Sequence, residues 1–146
     1  MEVKVEGLDR LLKKLDKLGG SIEQSTQKAL LKGGAMFESD AKERCPVDTG
    51  ELRESIHTEA KDAQTVTVGT SCEHGVYVEY GTGPKGDPSV PHTTKRSWRY
   101  KDKDGSWHTS HGQPPQPFMR TAFAENKDKV VDAVKESIRE DVKNLK

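Results

Sequence analysis

Apolar residues recur at helical spacing over the first third of the chain. Five leucines repeat every three or four residues and predict a first helix that ends at Gly19-Gly20: Leu8, Leu11, Leu12, Leu15 and Leu18. A second helix is expected from Ser21, which can cap it, to Pro46, which stops it. The inner face of this second helix is predicted to carry Ile22, Thr26, Ala29, Leu30, Gly33, Phe37 and Ala41.

Two adjacent glycines, Gly33 and Gly34, lie in the middle of the second predicted helix. Each glycine in a helix interior costs about 1 kcal/mol relative to alanine. We therefore expect another element to pack closely against the helix backbone at this point, where a side chain would keep it away.

Alternating apolar and polar residues follow the second helix and indicate strands. A short helical turn through Glu54, capped by Asp48 or Thr49, comes first. Residues 55–61 and 65–70 are then predicted as two antiparallel strands joined by a polar turn. The state of residues 76–80 stays open, because both strand spacing and helical spacing place apolar residues on one side.

The last part of the chain contains a polar excursion and a closing helix. Within residues 84–112, Asp104-Gly105 is a hairpin turn signal between two tryptophan-containing arms. The proline-rich residues 114–117 impose an extended approach to the final helix, because proline restricts its own φ and the residue before it. That helix is predicted over 117–146, with Phe118, Ala122, Val130, Val134, Ile138, Val142 and Leu145 facing inward.

Together these elements predict an α+β fold. It would comprise two N-terminal helices, a small antiparallel sheet with a long hairpin arm at 84–112, and a C-terminal helix packed on the sheet. A length of 146 residues suits a single domain, 1–146. Because 31% of the residues are hydrophobic and 33% are charged, we expect a thin core that gains stability from a partner or from self-association.

The composition narrows the possible classes of function. The 24 basic and 24 acidic residues give zero formal net charge, whereas dedicated nucleic-acid binders carry a basic excess. No apolar run reaches the roughly 18 residues that span a membrane, and the first residues have no signal-peptide core. We therefore expect a soluble protein made in the cytoplasm, without a membrane partner. Cys45 and Cys72 form no CxxC pair and are predicted to be free thiols.

The sequence contains no arrangement of residues typical of catalysis or of cofactor binding. A nucleophile elbow, a P-loop and a dinucleotide-binding glycine pattern are all missing from it. Cys72, His74, His108 and His111 could supply metal ligands, but their spacing is not that of a zinc knuckle or of one helix face. We therefore expect no catalytic residues, no cofactor and no metal.

Glu79 is flanked by aromatic residues, Tyr77 and Tyr80. One interpretation is a general acid whose pKa is tuned by the aromatic surroundings. The favoured interpretation is an interfacial carboxylate that pairs with backbone N–H groups or with an arginine, for which Arg53 is a candidate.

Residues 84–112 form the part of the chain that a compact domain needs least. The segment is locally basic and contains both tryptophans. Loops of this length are uncommon unless they are functional or disordered, and exposed Trp, Tyr and Arg are residues that anchor interfaces. Three interpretations stay open: a partner-binding arm, a disordered loop, and an arm that stacks on single-stranded nucleic acid.

Three segments occur in a distinctive order along the chain: 46–53 (PVDTGELR), 77–83 (YVEYGTG) and 112–123 (GQPPQPFMRTAF). Each segment alone is weak evidence, but the three in this order resemble the head–tail joining or tail-completion family of long-tailed bacteriophages and prophages. The resemblance extends over nearly the whole chain, from residues 7–9 to Ala122.

The resemblance implies a small structural α+β protein that forms a ring, often hexameric, at the neck or the head-proximal end of the tail. Its partners would be copies of itself and the neighbouring neck, connector and tail-tube proteins, with DNA contact only in the ring lumen. It would be assembled in the host cytoplasm and reside in the virion. Candidate residues for subunit or partner contacts are Arg53, Tyr77, Glu79, Tyr80, Trp98, Arg99, Tyr100, Trp107, Phe118 and Arg120.

Two other functions stay open at the level of sequence. A minor tail or baseplate component of the same particle would share the structural role but differ in position. A metal-dependent or nucleic-acid-processing enzyme would instead use the histidines and the basic arm within 84–112.

Overall fold

A 24-residue helix is the central element of the fold. The computed structural model describes residues 2–4 and 21–144. The helices are α1 (Ser21–Arg44), α2 (Glu51–Ser55), α3 (Gly75–Tyr80) and α4 (Met119–Lys143), with a 3-10 turn at Gly83–Lys85. The strands are β1 (Glu2–Lys4), β2 (Ile56–Asp62), β3 (Thr65–Thr70), β4 (Trp98–Lys101) and β5 (Trp107–Ser110). These elements confirm the α+β class, and the predicted leucine helix over 8–18 lies outside the described residues.

β1, β3 and β2 form an antiparallel sheet in that order, with β3 in the centre. Val68 of β3 lies opposite Thr58 of β2 on one side and Val3 of β1 on the other. The strands predicted at 55–61 and 65–70 are confirmed to within one residue. The sequence does not reveal β1, because three residues are too few to show alternation.

The C-terminal helix α4 makes its most extensive contact with α1. Sequence analysis places this helix on the sheet. In the structure α4 packs along α1, which itself packs on β2 and β3. The N-terminal part of α4 also reaches the sheet, since Met119 and Phe123 line the same small hollow as Val68. The α1–α4 contact includes Phe37 and Phe123, whose rings stack with centroids 5.5 Å apart.

Gly33 and Gly34 allow close neighbours on two sides of α1. A Cβ built on Gly33 would lie 2.8 Å from Val130 Cγ1 of α4, and one built on Gly34 would lie 2.5 Å from Thr58 Cγ2 of β2. Both distances are shorter than carbon–carbon contact distances in packed interiors. The predicted close packing is therefore confirmed, and each glycine admits a different neighbour.

Two local predictions change in detail. The N-cap residue of α2 is Gly50, with φ of 88°, and not Asp48 or Thr49. Thr49 still contributes, because its Oγ1 accepts a hydrogen bond of 3.3 Å from the Glu51 N–H. The open choice at residues 76–80 is resolved as a helix, α3.

Gly34→Ala should destabilise the protein, although alanine is the better helix former. The new Cβ would lie 2.5 Å from Thr58 Cγ2 and 2.9 Å from Val66 Cγ1, and both neighbours are β-branched and stiff. We expect the free energy of unfolding to fall by about 1–3 kcal/mol, measured by urea denaturation.

Lys32→Ala is the matched control, since Lys32 is exposed two residues earlier on the same helix. This change should alter the free energy of unfolding by less than about 0.5 kcal/mol. A Gly34→Ala protein as stable as the wild type would contradict the close approach of α1 and β2.

Candidate interaction site

The three sequence segments at 46–53, 77–83 and 112–120 meet in space around α3. Val78 and Gln113 line a hollow of about 330 Å³, and the other wall includes residues from Pro46 to Leu52. The Gln113 side chain donates a hydrogen bond of 3.0 Å to the Tyr77 carbonyl. The Gln116 N–H donates one of 2.8 Å to the Val78 carbonyl. The three segments therefore form one structural unit around α3.

A backbone bridge joins the end of α3 to the proline-rich segment. The Thr82 N–H donates to the Gln113 carbonyl at 2.9 Å, and the Gln113 N–H donates to the Thr82 carbonyl at 3.1 Å. Gly81, with φ of 74°, lies so close to the proline-rich segment that an added Cβ would be 2.6 Å from the Gln113 carbonyl oxygen. Glycine is needed here both for the left-handed φ and for the close approach.

Glu79 of α3 is completely buried and caps the N-terminus of α4. Its carboxylate accepts backbone N–H bonds from Phe118 and Met119, both at 2.9 Å, and from Arg120 at 3.0 Å. Phe118 is the N-cap residue of α4, and its apolar side chain cannot accept these hydrogen bonds. A carboxylate from elsewhere in the chain therefore satisfies the free N–H groups of the first turn.

Arg120 neutralises this carboxylate and connects it to the surface. Its Nε donates to Glu79 Oε1 at 2.9 Å, and its Nη1 donates to Asp87 Oδ2 at 3.0 Å. The guanidinium carbon also lies 4.4 Å from the centroid of the Tyr80 ring, which is cation–π geometry. One arginine thus joins α3, α4 and the loop that follows the 3-10 turn.

Asp87 anchors that loop. The side chain and backbone N–H of Ser89 donate to Asp87 Oδ1 at 2.6 and 2.9 Å. The Asp87 N–H also donates to the Tyr80 carbonyl at 2.8 Å. The Ser89 hydroxyl, the Ser89 N–H and then the Arg120 guanidinium lower the pKa of Asp87 from 3.8 to about 2. The aspartate is therefore ionised at neutral pH, as its bond to Arg120 requires.

An open and mostly apolar cleft of about 770 Å³ lies between α3 and the anchored loop. Tyr77 and Tyr80 form part of its α3 wall, Val90 and Pro91 belong to the loop, and Trp98 comes from β4. The Tyr77 side chain is 55% exposed, which is unusual for a large aromatic residue beside an apolar cleft. This cleft is therefore a candidate binding surface.

The β4–β5 hairpin has two aromatic faces. Successive side chains of a strand point to opposite sides, so Trp98, Tyr100 and the cross-strand partner of Tyr100, His108, share one face. Tyr100 and His108 stack with centroids 5.5 Å apart. The other face carries Arg99 and Trp107, whose guanidinium carbon and ring centroid are 5.3 Å apart. The Trp98 face continues the cleft, and the Trp107 face points away from it.

The structure brings most of the predicted contact residues together. Tyr77, Tyr80 and Trp98 line the cleft. Glu79 caps the start of α4, where Phe118 and Arg120 lie. The hairpin carries Arg99, Tyr100 and Trp107. Glu79 and Phe118 are fully buried within the chain, so they support the surface from inside. Arg53 is exposed on α2, and its predicted pairing with Glu79 is wrong because Arg120 binds that carboxylate.

The possible metal ligands lie in separate places. Cys72 Sγ contacts His74 Nδ1 at 2.9 Å, whereas His108 Nε2 bonds to Asp102 on the hairpin. Over residues 2–4 and 21–144, no three His, Cys, Asp or Glu side chains come close enough to hold a metal ion. Both cysteines are free thiols as predicted, and burial raises the pKa of the Cys45 thiol. Within the same residues, no helix has the length and apolar character to cross a membrane.

Sequence reasoning missed the roles of Asp87 and Gln113. The local sequence does contain a signal for the first, because an aspartate two residues before a serine often bonds to that backbone N–H. Its second partner, Arg120, is 33 residues away and leaves no pattern in the local sequence. The same holds for Gln113, whose side chain bonds to a carbonyl 36 residues earlier.

Glu79→Ala should strongly destabilise the protein, because three buried or half-buried N–H groups and Arg120 would lose their acceptor. We expect a loss of about 3 kcal/mol in the free energy of unfolding, measured by guanidinium chloride denaturation. Glu79→Gln keeps the shape and one acceptor oxygen, so its loss should be smaller.

Glu73→Ala is the control, since Glu73 is an exposed carboxylate just before α3. We expect its effect on the free energy of unfolding to stay within about 0.5 kcal/mol. Equal stabilities of the Glu73→Ala and Glu79→Ala proteins would show that the cap on α4 contributes nothing.

The Asp87 anchor should be sensitive to acid. Because the folded pKa of about 2 lies below the ordinary value of 3.8, the anchor stabilises the fold fully above pH 3.8 and is lost as the pH falls towards 2. Wild type should therefore be more stable than Asp87→Asn at pH 5, and the difference should shrink to nothing near the folded pKa. Urea denaturation of both proteins across this pH range measures the difference, and a pH-independent gap would contradict the anchor.

Comparison with known proteins identifies the protein family to which the chain belongs. The family model HK97-gp10-like, described as "Bacteriophage HK97-gp10, putative tail-component", matches residues 9–81. No curated protein and no solved structure gives a significant match. The matched residues make up half of the 146-residue chain and include α1, the β2–β3 pair and α3. The chain therefore belongs to the HK97-gp10-like family of bacteriophage tail components.

Proposed function

We propose that this structural phage protein acts in head–tail joining or tail completion, as a ring at the neck or at the head-proximal end of the tail. The observation that carries the proposal is the exposed aromatic surface beside the buried Glu79 carboxylate and its partner Arg120. A surface that is rigid underneath and apolar outside is suited to contact with other protein subunits. Membership of a tail-component family supplies the setting for that contact.

A ring requires two different surfaces on each subunit, because each copy contacts the next one head to tail. The chain exposes two such surfaces, the cleft beside Tyr77 and the hairpin face with Trp107. They differ in shape, since one is concave and the other projects from a two-stranded hairpin. Two surfaces of different shape allow the head-to-tail contact that a ring requires.

The proposed partners follow from this position. They are copies of the same chain, six in a ring as the sequence resemblance implies, and the neck, connector and tail-tube proteins above and below. With zero formal net charge, the chain would contact DNA only where the ring lumen surrounds it. The protein would act without catalysis, assemble in the bacterial cytoplasm and remain in the virion.

Deletion of the reading frame tests the proposed role. Negative-stain electron microscopy of an induced lysate should show filled heads beside unattached or overlong tails, because the junction lacks its joining subunit. A plasmid copy of the wild-type gene should restore complete particles and serves as the control. Complete particles without any copy of the gene would overturn the proposal.

A further inference from the structure

We propose that Trp107 of one subunit inserts into the aromatic cleft of a neighbouring copy of the same chain. The inference rests on the proposed assembly into a ring and names the contact that would hold the ring together. The cleft is the space of about 770 Å³ bounded by α3, the loop at 90–93 and Trp98. The inserted group is the most exposed large hydrophobic side chain of the described residues, since Trp107 is 60% accessible.

The β4–β5 hairpin holds its two tryptophan side chains on opposite faces. Trp98 and Trp107 lie on opposite faces of the β4–β5 ribbon, because their cross-strand partners are Ser110 and Lys101. The first tryptophan forms part of the wall of its own cleft, while the second points in the opposite direction. A thin ribbon with one face towards its own subunit and one face outward is the arrangement that head-to-tail neighbours require.

Trp107 cannot fill the cleft of its own chain. It pairs with Lys101, at the end of β4 opposite to Trp98, which lines the cleft. The three residue steps between Trp98 and Lys101 span about 10 Å of extended strand. The tip beyond them is also tied down on α2, where Lys103 Nζ lies 2.7 Å from Glu51 Oε2. Only a second molecule can bring the Trp107 indole into the cleft.

The chemistry of both surfaces suits a tryptophan contact. Exposed Tyr77 and Val76, with Pro91 and Trp98, offer apolar and aromatic walls to an incoming ring. Arg99 lies over the Trp107 indole and limits its rotation before contact, which reduces the entropy lost on binding. Tryptophan and arginine are also the residues that most often dominate the energy of protein interfaces.

The anchored loop gives the receiving surface a defined shape. Asp87 bonds to Arg120 at 3.0 Å and to the Tyr80 carbonyl at 2.8 Å, which fixes the loop next to α3. The far wall of the cleft, including His92 and Thr93, therefore has a set distance from Tyr77. A preformed cleft binds an aromatic side chain without first having to order its own walls.

Sedimentation of purified full-length variants is the first test. Trp107→Ala and Tyr77→Ala remove opposite sides of the contact, and each should weaken self-association more than about tenfold. Met36→Ala removes an exposed apolar side chain of α1, outside both surfaces, and should associate as the wild type does. Circular dichroism confirms that each variant is folded. Trp107→Ala or Tyr77→Ala proteins that associate normally would overturn the proposed contact.

Cysteine cross-linking tests the direction of the contact. In a chain carrying Cys45→Ala and Cys72→Ser, one preparation receives Trp107→Cys and another receives Thr93→Cys, at the edge of the cleft. Mixing the two under mild oxidation should give a disulfide-linked dimer of one copy from each preparation. Dimers that form only within the Trp107→Cys preparation would indicate a two-fold contact and overturn the inference, as would the absence of any cross-linked product.

Complementation separates this inference from the proposed function. If Trp107→Ala restores complete particles to the deletion lysate and forms normal oligomers, the joining role stands and the Trp107 contact is overturned. If the wild-type gene is dispensable for joined particles, the proposed function fails instead. Loss of both oligomers and joined particles in Trp107→Ala and Tyr77→Ala, with normal behaviour of Met36→Ala, supports the contact.

Discussion

The exposed part of this protein depends on the hydrogen bonds and the ion pair that the buried Glu79 carboxylate makes. It accepts three backbone N–H bonds at the start of α4, where the N-cap residue Phe118 has no polar side chain to offer. The positive end of the helix dipole favours a negative charge at this point, and Arg120 balances that charge. Because α4 packs along α1 and α1 packs on the sheet, this one residue connects α3 and the cleft to the core.

The molecule combines a closely packed interior with exposed aromatic side chains. Gly33 and Gly34 let α4 and β2 approach α1 at distances that no side chain would allow. By contrast, Tyr77 and Trp107 are left more than half exposed. Such exposure is costly for an isolated chain and is expected for a subunit that is completed by its neighbours. The low hydrophobic content of the sequence agrees with this division.

The family match ends where the chain passes from α3 to the anchored loop, so it includes only one wall of the cleft. The match ends at Gly81, so it includes α1, the β2–β3 pair and the α3 wall of the cleft. The anchored loop, the hairpin and α4 follow the matched region. Arg120 crosses this division, since it bonds to Glu79 before it and to Asp87 after it. The cleft therefore combines a part shared with the family and a part outside the match.

Elements with local sequence signals could be predicted without the structure. Helical periodicity identified α1, alternation identified β2 and β3, and Asp104-Gly105 identified the hairpin turn. Three ordered sequence segments also indicated a phage structural family, and Glu79 was singled out as a paired carboxylate. These features repeat within a few residues or occur as contiguous segments, so they can be read without knowing the fold.

Which of these elements meet could be seen only in the folded chain. Arg120 and not Arg53 binds Glu79, α4 packs along α1, and Asp87 is joined to Arg120. The partners in the Glu79 and Asp87 pairs lie 41 and 33 positions apart. Contacts between such distant residues have no period along the chain. They arise only when folding brings an acceptor and its donors together, in the interior for Glu79 and at the surface for Asp87.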